Sequence, residues 1–178
     1  MINRSIFGLN SSFYYFGLEH LIINMCQYIK EGIERKEKIC VYTDLKLYKK
    51  LLKYVDIKNN CVEYVDMTQM INEYPKLKVN NIRKEVLKYI DEINKEGYVG
   101  VRFIIQADYA IYNTSQDSFL NFNRNILNII SEMNASCMCA YDFEDYLKNK
   151  RFINEKVVKE SYKIHNYRLY NRRLVSVK

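Results

Sequence analysis

Two segments of the chain are almost continuously apolar and end in polar residues. Residues 99–105 lead to Gln106 and Asp108, and residues 135–141 lead to Asp142. Uninterrupted apolar runs of this length are typical of strands that are buried on both faces of a parallel sheet. Because parallel strands end at the same edge of a sheet, the pattern predicts that polar groups meet there.

Strand and helix patterns alternate along the rest of the chain. Runs rich in β-formers predict strands at 12–16, 38–43, 61–65, 99–105 and 136–141, with a final pair at 167–170 and 173–177. Apolar residues at helical spacing predict helices at 18–35, from Asp44 to Val55, and at 82–95, 119–133 and 154–164. We expect surface loops at 66–80, with at most one helical turn, and at 109–115. Repeated β-α units of this kind favour an α/β fold: a three-layer sandwich with a mostly parallel sheet.

Composition is that of an ordinary globular domain, and we expect one domain over residues 1–178. Of 178 residues, 48% are hydrophobic and 28% charged, and one Pro and five Gly leave no flexible linker. The first apolar run is too short for a secretory signal, and no stretch approaches the ~18 apolar residues of a membrane span, so we expect a cytoplasmic protein. The five cysteines lie in apolar runs. They are expected to be reduced core thiols without a metal site.

Positive charge is concentrated near the carboxyl terminus. The net charge is +7, but residues 147–178 alone carry ten Lys and Arg against two Glu. This asymmetry indicates a nucleic acid or an acidic protein as partner. Tyr162, Tyr167 and Tyr170 alternate with the candidate contact residues, which are Lys156, Lys159, Lys163, Arg168, Arg172 and Arg173. A solvated basic face without a partner is the alternative.

The residues needed for nucleotide chemistry are missing. A phosphate-binding loop needs several glycines and a Lys after the first strand, and this chain has Phe-Gly-Leu-Glu-His at positions 16–20. Its only two histidines, His20 and His165, adjoin no nucleophile motif. The sequence therefore predicts no ATP hydrolysis, no enzymatic activity and no cofactor.

Four charged residues need a specific explanation. Asp44, Asp108 and Asp142 all follow strands, so they either meet at one edge as acid–base groups or cap helices. Arg102 stands inside an apolar strand, where an unpaired charge is very costly. It either forms an internal pair with a carboxylate or binds an anionic ligand.

The order of elements resembles the MEDS domain, a sensory module named after methanogen and methylotroph proteins and a dichloromethane-responsive regulator. The resemblance covers nearly the whole chain, and the segments that carry it are 13–16 (FYYF), 28–33 (YIKEGI), 36–42 (KEKICVY), 97–102 (GYVGVR) and 139–142 (CAYD). A histidine typical of the family's first strand is absent, since Asn10, Ser11 and Ser12 stand there. The resemblance implies a RecA/KaiC-type fold without its phosphate loop (Walker A) that senses small, hydrocarbon-like molecules.

These observations predict a non-enzymatic regulatory domain with a ligand pocket at the carboxyl ends of the strands. Aromatic side chains would supply apolar contact and polar groups would orient the ligand. The candidate residues are Tyr15, Phe16, Tyr42, Thr43, Arg102, Gln106, Asp108, Tyr141 and Asp142. We expect the signal to leave through a regulatory protein partner, self-association or the basic segment. The alternative is a nucleic-acid-binding transcriptional regulator that acts through residues 147–178.

Overall fold

The computed structural model describes residues 6–55, 60–73 and 79–177. The strands are β1 (Asn10–Tyr15), β2 (Glu37–Tyr42), β3 (Val62–Tyr64), β4 (Gly100–Gln106), β5 (Ala135–Asp142), β6 (Tyr167–Tyr170) and β7 (Arg173–Ser176). The helices are α1 (Gly17–Glu34), α2 (Leu45–Val55), α3 (Thr68–Glu73), α4 (Val79–Lys95), α5 (Ala107–Asn113), α6 (Gln116–Ile130), α7 (Phe143–Lys148) and α8 (Glu155–Ile164).

The strands form one sheet in the order β3-β2-β4-β5-β1-β6-β7. Every neighbouring pair is parallel except the β6–β7 hairpin. Tyr15 at the end of β1 lies opposite Asp142 of β5, and Gln106 of β4 lies opposite Ala140. The carboxyl ends of the four central strands therefore lie side by side.

Helices cover both faces of the sheet, which confirms the three-layer α/β sandwich. On one face, α1 and α2 contribute Leu21, Met25 and Leu51 to an apolar cluster with the strands. On the other face, α3, α4, α5, α6 and α8 form a second apolar cluster. Because both faces are covered, β2, β4 and β5 are buried over nearly their whole length. All five cysteines are also buried, as their apolar neighbours predict.

Both expected loops contain helices. The prediction of a loop at 109–115 is wrong. Helix α5 occupies most of it, because Ala107, Ala110 and Ile111 form a buried helical face that short polar neighbours obscure in the sequence. In the expected loop at 66–80, α3 is longer than one turn and buries Ile71 completely. Pro75, which the loop prediction used, lies outside the described residues.

Helix α7 was not predicted at all. Its six residues have no buried face, so hydrophobic periodicity gives no signal for it. Local hydrogen bonds hold the segment instead. The Asp145 carboxylate accepts backbone N–H groups from Arg151, Phe152 and Ile153, at 3.1, 2.8 and 2.7 Å. These bonds turn the chain from α7 toward α8.

Arg102 forms the internal pair. Its Nε donates to Glu37 Oε2 at 2.6 Å and its Nη1 donates to the Tyr28 carbonyl oxygen at 2.6 Å. The guanidinium also lies 4.2 Å from the centre of the Tyr28 ring. Both charged side chains are at most 2% exposed. Gly32 of α1 makes room for them, since a Cβ there would lie 3.0 Å from Arg102 Nε.

We expect Arg102→Met to lower the free energy of unfolding by about 3–5 kcal/mol, because it leaves the Glu37 charge buried without a partner. The double variant Arg102→Met, Glu37→Leu should recover most of that loss. Urea unfolding measures both. The control is Arg83→Met, which breaks the exposed Arg83–Glu132 pair and should cost less than about 1 kcal/mol. Equal losses in the buried and exposed variants would contradict the prediction.

Candidate functional site

Polar side chains from three strands and one helix meet at the carboxyl edge of the sheet. Tyr15 ends β1, Gln106 ends β4, Thr43 directly follows β2, and Asp108 lies in the first turn of α5. Tyr15 packs in the apolar cluster beneath α1 and α2, and Asp108 meets it from the start of α5 at the edge of the sheet. We call these four residues the edge cluster.

Hydrogen bonds join the edge cluster into one network. The Tyr15 hydroxyl donates to Asp108 Oδ1 at 2.9 Å, and Gln106 Nε2 donates to Asp108 Oδ2 at 2.9 Å. Gln106 Nε2 also contacts the Tyr15 hydroxyl oxygen at 3.2 Å, and the Thr43 hydroxyl donates to Gln106 Oε1. Each oxygen of the Asp108 carboxylate therefore has a donor from a different strand.

Burial changes the acidity of this network. The pKa of Asp108 is raised to about 6, mainly because the group is buried, with a smaller contribution from the Asp142 charge, while the hydrogen bonds from Tyr15 and Gln106 oppose the rise. Burial likewise raises the pKa of the Tyr15 hydroxyl, with Asp108 and Asp142 adding to the effect. At neutral pH Asp108 is mostly an anion and Tyr15 is a neutral donor. Asp108 gains a proton as the pH falls through about 6.

Asp44 and Asp142 cap helices. Asp44 Oδ1 accepts the N–H groups of Lys46 and Leu47 at 2.9 and 3.2 Å, and its residue is exposed. Asp142 Oδ1 accepts two N–H groups at the start of α7, at 2.9 and 3.2 Å. Asp142 is half-buried, which raises its pKa, and it is close enough to influence Asp108. Two of the three aspartates that follow strands thus approach each other, and Asp44 has only the capping role.

An aromatic row borders the same edge. The exposed Phe16 lies next to Phe143, with 5.2 Å between ring centres, and Phe143 contacts Tyr14 and Tyr146 at 5.7 and 5.0 Å. Sequence reasoning selected Phe16 but missed Phe143. The run of alternating aromatic and acidic residues after β5 was the available signal, since it places a ring immediately beyond Asp142.

Three of the other candidates lie elsewhere. Arg102 is in the amino-terminal half of β4, where it pairs with Glu37. Tyr42 and Tyr141 point to the opposite face of the sheet. The Tyr42 hydroxyl lies 2.6 Å from Thr68 Oγ1 of α3.

Tyr141 belongs to a second buried network. Its hydroxyl oxygen lies 2.9 Å from His165 Nε2 and 3.2 Å from Asn123 Nδ2. His165 is completely buried although it lies in the basic segment. These contacts attach the end of α8 to the centre of the sheet. From the sequence, His165 is considered only as a possible catalytic group and Asn123 is not singled out, because an isolated polar residue gives no indication of its partner.

The turn between β1 and α1 has a different chemistry from a phosphate loop. Phe16 joins β1 to Gly17, the first residue of α1, and the backbone N–H of Phe16 donates to His20 Nδ1 at 3.0 Å. A Cβ on Gly17, whose φ is +72°, would lie 3.5 Å from Glu144 Oε2. The Glu144 carboxylate therefore lies beside this turn, and Asp108 and Asp142 are close enough to the preceding Tyr15 to raise the pKa of its hydroxyl.

The basic segment divides into two parts. Lys156 pairs with Asp117 at 2.5 Å and Lys163 with Glu160 at 2.8 Å. Arg168 packs between two rings, 5.1 Å from the centre of Tyr14 and 4.6 Å from that of Tyr162. The remaining candidates, Lys159 on α8 and Arg172 and Arg173 at the hairpin tip, are exposed and form no ion pair or ring contact with another described residue. Lys178, which contributes to the segment's charge, lies outside the described residues.

Metal sites and membrane-spanning helices are the next features to consider among the described residues. Residues 6–55, 60–73 and 79–177 contain no group of three His, Cys, Asp or Glu side chains arranged to hold a metal ion. None of the helices in this part of the chain is long and apolar enough to cross a membrane.

Asp108 makes stability depend on pH. Its pKa is higher in the folded chain than the ~3.9 of an unfolded one, so folding favours the protonated form. We expect this contribution to be present below pH 4 and to be lost as the pH rises through about 6. The loss should reach about 2–3 kcal/mol.

The measurement is urea unfolding of the wild type and Asp108→Asn between pH 4 and 6.5. The free energy of unfolding of the wild type, relative to the variant, should fall across that interval. Asp91→Asn, which alters an exposed carboxyl on α4, is the matched control and should show no such relative fall. A constant difference between wild type and Asp108→Asn would contradict the assignment.

The sequence is similar to one known family. The model of the family described as MEDS, the methanogen/methylotroph, DcmR sensory domain, matches residues 12–166. No curated protein sequence matches the chain at a significant level.

Solved structures share its fold at low sequence identity. A KaiC-like protein, PH0186, from Pyrococcus horikoshii OT3 is 13% identical with a TM-score of 0.53, and the match covers 94% of this chain and 76% of that one. The flagellar accessory protein FlaH from Methanocaldococcus jannaschii is 12% identical with a TM-score of 0.53, covering 94% and 75%. The cytoplasmic domain of EssC is 11% identical with a TM-score of 0.50, and 89% of this chain matches about a third (31%) of that one. The fold is therefore RecA/KaiC-like.

Proposed function

Since the chain belongs to the MEDS family of sensory domains, we propose that it is a non-enzymatic sensor that binds a small molecule at the edge cluster. The observation that carries the proposal is the buried Asp108 carboxylate, held by donors from β1 and β4 at the carboxyl edge of the sheet. In open parallel α/β sheets this edge is the usual ligand site. A regulatory protein partner or a second copy would read the bound state.

The chemistry of the edge cluster selects a class of ligand. An ionised carboxylate only accepts hydrogen bonds, so a ligand that meets Asp108 at neutral pH must offer a donor. Phe16, half exposed beside the cluster, offers an apolar surface to the rest of the molecule. The fitting ligand is therefore a small molecule with an apolar body and one hydroxyl, amine or amide group.

Binding at this position would be transmitted through the network. A ligand donor that takes one oxygen of Asp108 displaces either Tyr15 or Gln106, whose bonds occupy both oxygens. Tyr15 ends the strand that leads directly into α1, and Gln106 is bonded to Thr43 next to α2. Exchange of one hydrogen bond at Asp108 thereby alters contacts of both helices on that face.

Two features support a role other than catalysis. The donors around Asp108 are a neutral tyrosine, an amide and a hydroxyl, and the amide and hydroxyl are poor proton donors. The two histidines are both outside the cluster, since His20 contacts Phe16 and His165 is buried on the other face of the sheet.

The ligand proposal is tested by thermal unfolding with a panel of small alcohols, amines and amides, each beside the hydrocarbon of the same skeleton. We expect at least one polar compound to raise the Tm of the wild type while its hydrocarbon counterpart does not. The same compound should leave the Tm of Asp108→Asn unchanged, whereas Tyr15→Phe, which frees Asp108 Oδ1 from its donor, should respond at least as strongly as the wild type. Asp44→Asn, which alters a capping aspartate outside the cluster, should still respond like the wild type. An equal response in wild type and Asp108→Asn would refute binding at the edge cluster.

We expect no ATP hydrolysis, although the structural neighbours include KaiC-like proteins. The turn where a phosphate loop would hold anionic phosphate has a single Gly and no Lys, and the Glu144 carboxylate lies beside it, so the cradle is incomplete and charge repulsion opposes binding there. Release of phosphate from Mg-ATP should equal that of a heat-inactivated sample. Turnover that disappears in Asp142→Asn would show that the edge is catalytic after all.

A nucleic-acid-binding role for the basic segment, residues 147–178, is supported by fewer residues than the six that the sequence analysis selected. Lys156 and Lys163 are exposed but each already pairs with a carboxylate, and Arg168 stacks on two tyrosine rings. Among the described candidates, those without such a partner that would meet phosphate are Lys159, Arg172 and Arg173. If each cation contacts one phosphate of duplex DNA, the three residues give a slope of about −2.7 for the logarithm of the binding constant against the logarithm of the salt concentration. Contacts from all six candidates would give a slope of roughly −5.4.

A further inference from the structure

An open groove lies on the side of the molecule formed by α1, α2 and the tip of the β6–β7 hairpin. Its volume is about 450 Å³. The residues that line it are Glu19, Ile22, Ile23, Cys26, Gln27 and Lys30 of α1, Tyr54 of α2 and Arg172 of the hairpin. We propose that this α1–α2 groove binds an acidic amphipathic helix of a partner protein.

The floor of the groove is apolar and open to solvent. Ile23 is 52% exposed and Tyr54 is 61% exposed. Leu18, one turn before Ile22 on α1, is exposed as well. Contiguous exposed apolar side chains of this kind mark contact surfaces for other proteins.

The length of the groove fits a short helix. Its lining along α1 extends from Glu19 to Lys30, twelve residues, and the eleven steps between them span about 17 Å at 1.5 Å per residue. An occupant helix of about three turns spans the same distance. Recognition of this kind depends on apolar anchors spaced at i, i+3 or i+4, and i+7.

The charges around the groove select an acidic occupant. Its lining contains Lys30 and Arg172 against Glu19. Helix α2 adds four exposed lysines at positions 46, 49, 50 and 53 and has no acidic residue. Lys50 precedes Tyr54 by one helical turn, so the two side chains share a face of α2.

Arg172 occupies a backbone position that normally requires Gly. Tyr170 pairs with Arg173, so Asn171 and Arg172 form a two-residue turn with φ values of +45° and +60°. Such turns strongly prefer Gly at the second position because other residues are strained there. Arg172 adopts this position despite the preference for Gly, and it lines the groove.

The apolar floor favours a protein over a nucleic acid. Phosphate recognition uses cations and polar donors, and Ile22, Ile23 and Cys26 can supply neither. The proposal is independent of the ligand at the edge cluster, because no residue of the edge cluster lines the groove.

The test uses a fluorescein-labelled peptide of fifteen residues with leucines on one helical face and glutamates on the other. We expect the chain to bind it, measured by fluorescence anisotropy, and to bind a scrambled peptide of the same composition at least about tenfold more weakly. Ile23→Asp and Arg172→Glu should each weaken binding about tenfold or more. A peptide with lysines in place of the glutamates should bind Arg172→Glu better than the wild type.

Two matched variants serve as controls. Arg173→Glu makes the same charge change at the neighbouring residue, which does not line the groove. Leu87→Asp makes the same kind of change at an exposed apolar residue of α4. Both should leave peptide affinity within about twofold of the wild type. Arg172→Gly removes the charge from a turn that prefers Gly, so it should fold at least as well as the wild type while still losing affinity.

Three results would overturn the proposal. Equal binding of the scrambled peptide would show nonspecific apolar contact. Binding of a labelled DNA duplex that falls equally in Arg172→Glu and Arg173→Glu, without peptide binding, would assign the charges to nucleic acid. A wild-type dimer in sedimentation that Ile23→Asp dissociates would show that a second copy occupies the groove. If Ile23→Asp fails to fold by circular dichroism, Arg172→Gly and Arg172→Glu decide the outcome.

Discussion

Burial of the central strands on both faces is the constraint on which the rest of this structure depends. Water does not reach the middle of β2, β4 and β5, so a polar side chain there must find its partner within the protein. Arg102 and Glu37 satisfy this requirement with an ion pair between adjacent strands. Thr43, Gln106, Asp108 and Tyr15 satisfy it with a chain of hydrogen bonds where the strands end.

These two polar centres differ in what they can do. The Arg102–Glu37 pair is enclosed by α1, and its two charges compensate each other. The edge cluster contains one carboxyl group and neutral donors, so its charge depends on a single proton at Asp108. Because that proton binds near pH 6, the cluster combines a defined geometry with a charge that changes near neutral pH.

Helix α1 connects the edge cluster with the α1–α2 groove. It begins at Gly17, directly after Tyr15 and Phe16, and its outer side forms most of the groove between Glu19 and Lys30. Its inner side packs on the sheet through Leu21, Met25 and Ile29. A change in the contacts of Tyr15 therefore acts on the start of the same helix that would present the partner surface. The proposed ligand site and the proposed partner surface are therefore connected directly by α1, without an intervening hinge.

The sequence by itself determined the α/β class, the position of the buried strands and the placement of Tyr15, Thr43, Gln106, Asp108 and Asp142 at their carboxyl ends. Continuous apolar runs specify buried strands, and parallel strands place the residues that follow them at one edge. Tertiary structure alone decided the partners. From the sequence, the partner of Arg102 could be either a ligand or a carboxylate. The pairing of β2 with β4 places Glu37 next to Arg102. Helix α7 and the groove were not predictable, because α7 has no buried face and the groove joins Tyr54 and Arg172, 118 positions apart. Periodicity records which side of an element is buried, whereas contacts between distant elements depend on how the layers pack.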